Sequence, residues 1–178
     1  VMEPLRGGAL ANPPAEVEKL IQENDRGYSP VDWAFRYCGQ FPEVATILSG
    51  MSTMAQVEDN LRIFEHVATG SLTDKDQAFV KTLKDSYLKR LKVGCTACNY
   101  CQPCPEGVLI PKIFEIYNEG LMLSRHEAMS RQYKQVIRAE GDASFCVACG
   151  QCEALCPQQL PIIDLLQTID RELRQDAV

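Results

Sequence analysis

The sequence predicts a chain in two parts, an α/β layer over residues 1–70 followed by a mainly α region. Two observations carry this prediction. In the first part, short apolar runs of strand length alternate with capped helical segments, which favours parallel strand pairing. In the second part, eight of the nine cysteines fall in two short runs joined by helical patterns. At 178 residues with 46% hydrophobic content, the chain can bury two small cores.

Two strands are predicted in the first part. Val1 to Leu5 is a short apolar start that leads into a glycine turn, and Val44 to Leu48 is an apolar run closed by Ser49-Gly50. Residues 5–9 and 50–53 are then the loops at the carboxyl ends of these strands, and the second loop leads directly into a helix. Unpaired N–H groups and the positive dipole end of that helix favour an anion, so the two loops predict a phosphate site.

Helix starts in the first part are marked by caps. Pro13-Pro14 precedes a short helix, Ser29-Pro30 with Asp32 caps a second, and Thr53 with Gln56 forms a capping box for a third. The third helix is expected to bury the stripe Val57, Leu61, Phe64 and Val67. A fourth helix over residues 71–94 links to the first cysteine run. Cys38 lies on the apolar stripe of the second helix and is predicted to be a core thiol.

The two cysteine runs have the spacing of iron-sulfur ligands. They are Cys95-x2-Cys98-x2-Cys101-x2-Cys104-Pro105 and Cys146-x2-Cys149-x2-Cys152-x3-Cys156-Pro157. The second run matches the ferredoxin spacing, in which three cysteines bind one cluster and the cysteine before proline binds the other. We therefore predict one [4Fe-4S] cluster on Cys146, Cys149, Cys152 and Cys104, and a second on Cys95, Cys98, Cys101 and Cys156. The first run is one residue shorter before its last cysteine.

Other cofactors remain open at these cysteines. Zinc ribbons use Cys-x2-Cys pairs, but each run here packs four cysteines and ends in Cys-Pro, which favours iron-sulfur over zinc. The shorter first run leaves the alternative of a single cluster. A structural or docking module, in which the metal only supports folding, competes with a redox role.

Helical patterns surround the cysteine runs. One helix is expected to start at Pro111 with Ile113, Phe114 and Tyr117 inward. The next is expected to start with a Ser124-x-x-Glu127 capping box. A last helix is expected after Pro161, with one apolar face made by Ile162, Leu166, Ile169 and Leu173. Cysteine runs joined by helices resemble the α-helical ferredoxins.

Charge and hydropathy exclude some functions. The formal net charge of −6 disfavours nucleic acid as a partner, and no apolar run is long enough to span a bilayer. With no signal segment and many cysteines, the chain is expected to be cytoplasmic. One basic concentration is predicted to be a solvated helix face, with docking of an acidic redox protein as the alternative; it comprises Lys81, Lys84, Lys89, Arg90 and Lys92.

A family resemblance extends these expectations. Glu3-Pro4-Leu5-Arg6-Gly7-Gly8-Ala9-Leu10 resembles the Ser-Pro-Leu-Gly-x-Gly-Leu loop after strand seven of the aldo/keto reductases. Ser49-Gly50-Met51-Ser52-Thr53-x2-Gln56-x2-Asp59-Asn60-Leu61 is similar to that family's loop and helix after strand eight. The cysteine runs resemble the C-terminal ferredoxin-type module of one of its subfamilies.

The resemblance implies a fold and a domain order. Residues 1–70 would be the last βα units of a TIM (β/α)8 barrel, residues 71–94 a linking helix, and residues 95–178 an α-helical ferredoxin-type domain. The implied function is an NAD(P)-dependent oxidoreductase that couples hydride chemistry to electron transfer. The family's catalytic Asp, Tyr, Lys and His belong to a part of the barrel outside this chain, so the chain alone is expected to be inactive and to associate with itself or with the missing part.

The resemblance also implies a nucleotide site. The implied cofactor-binding residues are Pro4, Leu5, Arg6, Gly8, Gly50, Met51, Ser52, Thr53, Gln56, Asp59 and Asn60. Gly50 and Gln56 stand where NADP-preferring members carry cations for the 2′-phosphate. The implied cofactor of the parent protein is therefore NAD(P), with NAD favoured over NADP.

Overall fold

The computed structural model describes residues 1–175, and every regular element within them is a helix. The chain divides into two compact units, Val1–Leu88 and a second unit that begins at Lys89. The helices are α1 (Ala15–Gln22), α2 (Pro30–Gly39), α3 (Met54–Phe64), α4 (Asp74–Leu88), α5 (Ile110–Met122), α6 (His126–Arg138), α7 (Gln151–Ala154) and α8 (Ile162–Gln175). Short 3₁₀ turns occur at Ala9–Ala11 and Ala143–Phe145.

The predicted α/β fold class is wrong. Residues 1–175 contain no strand, and so they contain no βα units of a TIM barrel. Residues 1–3 and 44–50 are irregular, and two backbone hydrogen bonds join them, from Val1 N to Thr46 O at 2.7 Å and from Leu48 N to Val1 O at 3.0 Å. A strand needs a continued ladder and a buried face, whereas Leu48 is 54% exposed.

The predicted caps of the first unit are confirmed in two helices. Ser29 and Asp32 form a reciprocal capping box at the start of α2, and Thr53 and Gln56 form one at the start of α3. The predicted stripe of α3 is wrong, because Leu61 is 64% exposed while Ile63 is fully buried. α3 therefore presents a different face to the protein than the apolar spacing suggested.

A small aromatic core holds the first unit together. Val17 and Ile21 of α1, Trp33 of α2 and Leu83 of α4 are buried in one cluster. The Trp33 ring lies 5.2 Å from Tyr28 and 4.9 Å from Phe79, centroid to centroid. α4 packs against α1 and so belongs to this unit. Cys38 is half-buried, and burial raises the pKa of its thiol.

The second unit is built from α5, α6 and α8. The predicted apolar face of α8 is confirmed, since all four of its residues are 1–2% exposed: Ile162, Leu166, Ile169 and Leu173. The predicted inward residues of α5 are buried as well, and they pack with α8 in one core: Ile113, Phe114 and Tyr117. Burying each large apolar side chain contributes roughly 1.5–3 kcal/mol, so this core stabilises the unit.

α6 begins differently from the prediction. Its N-cap is Arg125 without a side-chain cap bond, and Ser124 has a φ of +53°, so the predicted Ser124–Glu127 box is wrong. α5 and α6 approach closely at Gly120, where an added Cβ would lie 2.6 Å from the Cβ of Met129. A glycine at this position allows the two helices to pack.

Candidate metal centre

The first three cysteines of the first run share a space with the last cysteine of the second run. This space is lined by Cys95, Cys98, Cys101 and Cys156, and its remaining walls include Ile110, Phe114 and Ile162. Burial raises the pKa of the Cys101 thiol, and the charges of Cys95, Cys98 and Cys156 raise it further. The four thiols are therefore close enough to interact electrostatically.

A second space collects the other cysteines. It is lined by Cys146, Cys149, Cys152 and Cys104, with Cys101 also at its wall. Burial raises the pKa of the Cys152 thiol, and the neighbouring Cys146 raises it too. The structure thus brings together the two crossed sets that the spacing predicted, with each run contributing its Cys-Pro cysteine to the other run's space.

All nine cysteines are free thiols. Within residues 1–175, no group of three or more His, Cys, Asp or Glu side chains is drawn together tightly enough to hold a single metal ion. The two spaces are instead bounded by thiols on several sides and by apolar side chains. Four thiols around a largely apolar space suit an iron-sulfur cluster, so the residues present fit that group.

The backbones of the two loops match at two left-handed positions. Ala97 and Ala148, each two residues after the first cysteine, have φ of +54° and +55°. Asn99 and Gly150, each following the second cysteine, have φ of +63° and +78°. These left-handed residues are unusual outside glycine, and they turn each loop around its space.

The match continues beyond each Cys-Pro. Gly107 N donates to Cys104 O at 3.0 Å, and Gln159 N donates to Cys156 O at 3.0 Å. The chain then enters α5 at Ile110 and α8 at Ile162, six residues after Cys104 and Cys156. The second unit therefore contains the same motif twice, a cysteine loop followed by a helix. The sequence signal for it, an Ile six residues after each Cys-Pro cysteine, was present but was missed.

The first loop is anchored by a neutral side chain. Asn118 of α5 accepts hydrogen bonds at its Oδ1 from Lys92 N at 3.2 Å and Val93 N at 3.0 Å, and its Nδ2 donates to Val93 O at 2.7 Å. Val93 is 2% exposed, so these bonds satisfy a buried backbone just ahead of Cys95. Within the loop, Ala97 N donates to Cys95 Sγ at 3.4 Å.

The second loop is anchored by charged side chains. Asp142 is 2% exposed, caps the 3₁₀ turn before Cys146 through Ser144, and forms an ion pair with Arg174 of α8. Burial acts to raise the pKa of Asp142, but the bonds from Ser144 and the Arg174 guanidinium outweigh it and hold that pKa below its usual value.

Two further side chains extend this network. Arg174 also binds Asp170, which accepts a hydrogen bond from the Tyr133 hydroxyl of α6. Burial and the bond to Asp170 raise the pKa of Tyr133, so this hydroxyl stays protonated and donates. Spacing of cysteines alone gives no signal for the Asp142–Arg174, Tyr133–Asp170 and Asn118–Val93 pairs, because their members are distant in sequence.

In the first unit, the two predicted nucleotide loops border one cleft of about 290 Å³. Eight of the predicted cofactor-binding residues line it: Pro4, Leu5, Gly8, Gly50, Met51, Gln56, Asp59 and Asn60. Arg6, Ser52 and Thr53 are predicted residues that do not line it. The charged residues among those lining the cleft are the acids Glu3 and Asp59.

The cleft lies at the start of α3. Gln56 Oε1 accepts hydrogen bonds there from Ser52 N at 2.8 Å and Thr53 N at 3.2 Å. Asn60 Nδ2 donates to Ser49 Oγ at 2.8 Å, and Asp59 pairs with Arg62 at 2.8 Å. These bonds join the second predicted loop to the helix and hold one wall of the cleft in place.

Comparison with known proteins gives one match. Residues 94–161 match the family of 4Fe-4S dicluster domains. The second unit carries a ferredoxin-type iron-sulfur module. No curated protein and no solved structure matches the chain, and the aldo/keto reductase parentage that the resemblance implied is not shown. In the described part of the chain, no helix has both the length and the apolar character needed to cross a membrane.

Proposed function

We propose that the second unit is a one-electron relay with two [4Fe-4S] clusters. The first would be held by Cys95, Cys98, Cys101 and Cys156, and the second by Cys146, Cys149, Cys152 and Cys104. The observation that carries the proposal is the crossing of Cys104 and Cys156 between the two spaces, which is how two-cluster ferredoxins share their cysteines. When bound, such clusters supply reversible one-electron chemistry.

The surrounding residues suit a relay. Cys101 and Ile110 border both spaces, so only one layer of side chains separates the two sites. Ile110 is 1% exposed and excludes water between them. The N–H bond from Ala97 to Cys95 Sγ adds a donor to a ligand sulfur, which raises a reduction potential. Cys98 and Cys149 are exposed, which leaves each site an edge toward solvent.

A structural role is the competing function. Six of the eight cysteines pack against the hydrophobic core of the unit: Cys95, Cys101, Cys104, Cys146, Cys152 and Cys156. Metal at these positions, iron-sulfur or zinc, would contribute directly to folding whether or not it changed redox state.

A redox titration separates the relay from the structural role. Anaerobically purified protein is titrated with dithionite and followed by EPR and by its visible absorbance. A relay gives two reversible one-electron reductions, and reoxidation restores the starting spectrum. Protein that holds iron and sulfide but stays unreduced would contradict the relay and favour the structural role, whereas colourless protein with stoichiometric zinc would contradict both clusters.

We propose further that the cleft of the first unit binds a nicotinamide dinucleotide, as in an oxidoreductase of aldo/keto reductase type. The support is that the two loops with the resembling motifs border one cleft at the start of α3. Among the described residues lining it, Glu3 and Asp59 carry charge and no cation does, which favours NAD over NADP because a 2′-phosphate needs a cationic partner. We expect no turnover of carbonyl substrates by this chain alone.

Calorimetric titration with NADH and NADPH tests the cleft. NADH should bind weakly and NADPH more weakly still. Gly50→Lys should reverse this order, since a Cβ at Gly50 meets no atom within 4 Å and the resembling family carries a cation for the 2′-phosphate at this position. Lys substituted at exposed Gln22 serves as the control for added charge. If Gly50→Lys and the Gln22 control each bound NADH and NADPH equally, the assignment of the cleft as a nucleotide site would be contradicted.

A further inference from the structure

The two acids that line the cleft of the first unit are held differently. Glu3 begins a turn that is closed by a bond from Arg6 N to Glu3 O at 2.9 Å, and no described side chain binds its carboxylate. Asp59 lies on α3, where its Oδ1 accepts from Arg62 Nε at 3.1 Å and from Arg62 Nη2 at 2.8 Å. The cleft therefore has one fixed carboxylate and one that no side chain restrains.

Arg62 is held in turn by a buried acid of α2. Its Nη2 also donates to Asp32 Oδ2 at 2.9 Å, and the Asp32 side chain is 4% exposed. The Ser29 hydroxyl of the capping box donates to the same oxygen at 2.8 Å. Burial acts to raise the pKa of Asp32, but the bonds from Arg62 and Ser29 outweigh it and hold that pKa below its usual value, so Asp32 is charged at neutral pH. α2 thus fixes Arg62, and Arg62 fixes Asp59.

This arrangement leaves hydrogen-bond acceptors on the α3 wall of the cleft. Both bonds from Arg62 fall on Asp59 Oδ1, no described group donates to Asp59 Oδ2, and the side chain is 43% exposed. Asn60 uses its Nδ2 to donate to Ser49 Oγ at 2.8 Å, which leaves its Oδ1 as a second acceptor. Because an ionised carboxylate only accepts, this wall suits a ligand that offers hydroxyl groups and disfavours an anion at the same place.

We propose that Asp59 selects between the two nicotinamide dinucleotides, with Oδ2 accepting a hydrogen bond from the ribose 2′-hydroxyl of NAD and its charge repelling the 2′-phosphate of NADP. Arg62 is then a positioning residue that acts through Asp59. This proposal rests on the nucleotide binding proposed above. Asp59 is favoured over Glu3 because a side chain that is already fixed loses less conformational entropy on binding. Selection of this kind needs a repulsive group, and the lack of a cation alone does not supply one.

Calorimetric titration of the full chain with NADH and NADPH tests this assignment. The selectivity is the Kd for NADPH divided by the Kd for NADH. The key variant is Asp59→Asn, which keeps an acceptor oxygen and removes the charge, and its matched control is Glu3→Gln, the same change at the other acid of the cleft. Arg62→Gln is made both in the parent and in Asp59→Asn. Urea unfolding followed by the fluorescence of Trp33, which is 3% exposed, shows whether each variant is folded.

Asp59→Asn is expected to lower the selectivity roughly tenfold, because NADH loses a charge-assisted hydrogen bond while NADPH loses a repulsion. Glu3→Gln should change the selectivity by less than about twofold, since solvent and salt screen an exposed charge that is not fixed near the ligand. Arg62→Gln should weaken NADH binding roughly fivefold in the parent and hardly at all in Asp59→Asn, because it acts through Asp59. A merely structural role of Arg62 would weaken both nucleotides equally in either background.

Three outcomes would overturn the proposal. One is unchanged selectivity in folded Asp59→Asn. Another is an equal fall in Glu3→Gln, which would assign selection to the overall negative charge of the cleft. The third is additive weakening by Arg62→Gln, which would show that Arg62 acts through its own charge. Should Arg62→Gln not fold, Arg62→Lys, which keeps a cation beside Asp32 but loses the two-nitrogen contact with Asp59, takes its place.

Failure of the proposed nucleotide function is recognised separately. A folded parent protein that binds neither NADH nor NADPH would contradict the nucleotide site, and the role of Asp59 with it. A parent that binds both nucleotides equally would keep the nucleotide site and contradict the role of Asp59 alone.

Discussion

The two cysteine loops of the second unit have similar backbone conformations, but different side chains hold them in place. Both loops carry left-handed residues at matched positions, and both lead from a Cys-Pro turn into a helix. The first loop is fixed by the neutral amide of Asn118, and the second by the Asp142–Arg174 pair with Asp170 and Tyr133. The shape of a cluster dictates the loop, while nothing in the cluster dictates the anchor.

Replacing the proposed ligands one at a time tests the crossed assignment most directly. Cys149→Ala and Cys104→Ala should each lose the same EPR signal, and Cys98→Ala and Cys156→Ala the other. Iron should fall from about eight to about four per chain in each variant, because every one removes a thiolate from one cubane.

Cys38→Ala is the control and should keep both signals, since Cys38 lies in the first unit and lines neither space. If Cys104→Ala instead lost the signal that Cys98→Ala loses, each run would bind its own cluster and the crossing would be wrong.

Removing the charged anchor should lower the free energy of unfolding more than removing the neutral one. Asp142→Ala leaves the Arg174 guanidinium with one partner fewer and uncaps the turn before Cys146. We expect a loss of about 2–4 kcal/mol in the free energy of unfolding, measured by urea denaturation. Ser144→Ala removes only an exposed hydroxyl from the same carboxylate and should cost under about 1 kcal/mol. Equal losses would show that the ion pair carries no weight.

Removing the neutral anchor should lower the free energy of unfolding by a smaller amount. Asn118→Ala leaves the buried backbone of Val93 without partners, and we expect a loss of about 1–3 kcal/mol, measured in the same urea experiment. Lys112→Ala, at an exposed position of the same helix, controls for the change in helix composition. A larger loss from Asn118→Ala than from Asp142→Ala would reverse the ranking of the two anchors.

The first unit contains an ion pair that can be compared with Asp142–Arg174 and that lies outside the two cysteine runs. Asp76 caps α4 through Thr73 and binds Arg26 at 2.6 and 2.8 Å. The Arg26 guanidinium lowers the pKa of Asp76 to about 2. Because this pKa is below that of the unfolded chain, the stabilisation is present above about pH 5 and is lost as pH falls through about 2.

Trp33, the single tryptophan, lies in the core of that unit and reports its unfolding by fluorescence. Asp76→Asn should make the unit less stable at neutral pH and flatten its stability between about pH 5 and pH 2. Asp74→Asn, exposed in the same first turn, should leave the slope as it is. An unchanged slope in Asp76→Asn would show that other carboxylates govern acid unfolding.

Sequence reasoning succeeded where a signal is local. The apolar face from Ile162 to Leu173 is a short-range pattern, and its burial is confirmed. The spacing of Cys146, Cys149 and Cys152 is also short-range, and these cysteines line one space, while their role as cluster ligands stays a prediction. The capping box of Thr53 and Gln56 is local as well.

Long-range pairing could not be derived in the same way. Val44 to Leu48 has strand composition, but a strand exists only with partners, and the described residues supply two bonds to Val1 and no ladder. The same limit hid the Asp142–Arg174 pair, whose members are 32 residues apart. Neither the missing strand partners nor this ion pair can be predicted from the neighbouring residues in the sequence.

The central claim is that the second unit binds two clusters through crossed cysteine sets, and native mass spectrometry of anaerobically purified protein tests it most directly. The account predicts a mass increase equal to two [4Fe-4S] units, about eight irons and eight sulfides per chain, reduced to one unit in Cys104→Ala and in Cys149→Ala. One unit in the parent protein, or zinc without sulfide, would contradict it.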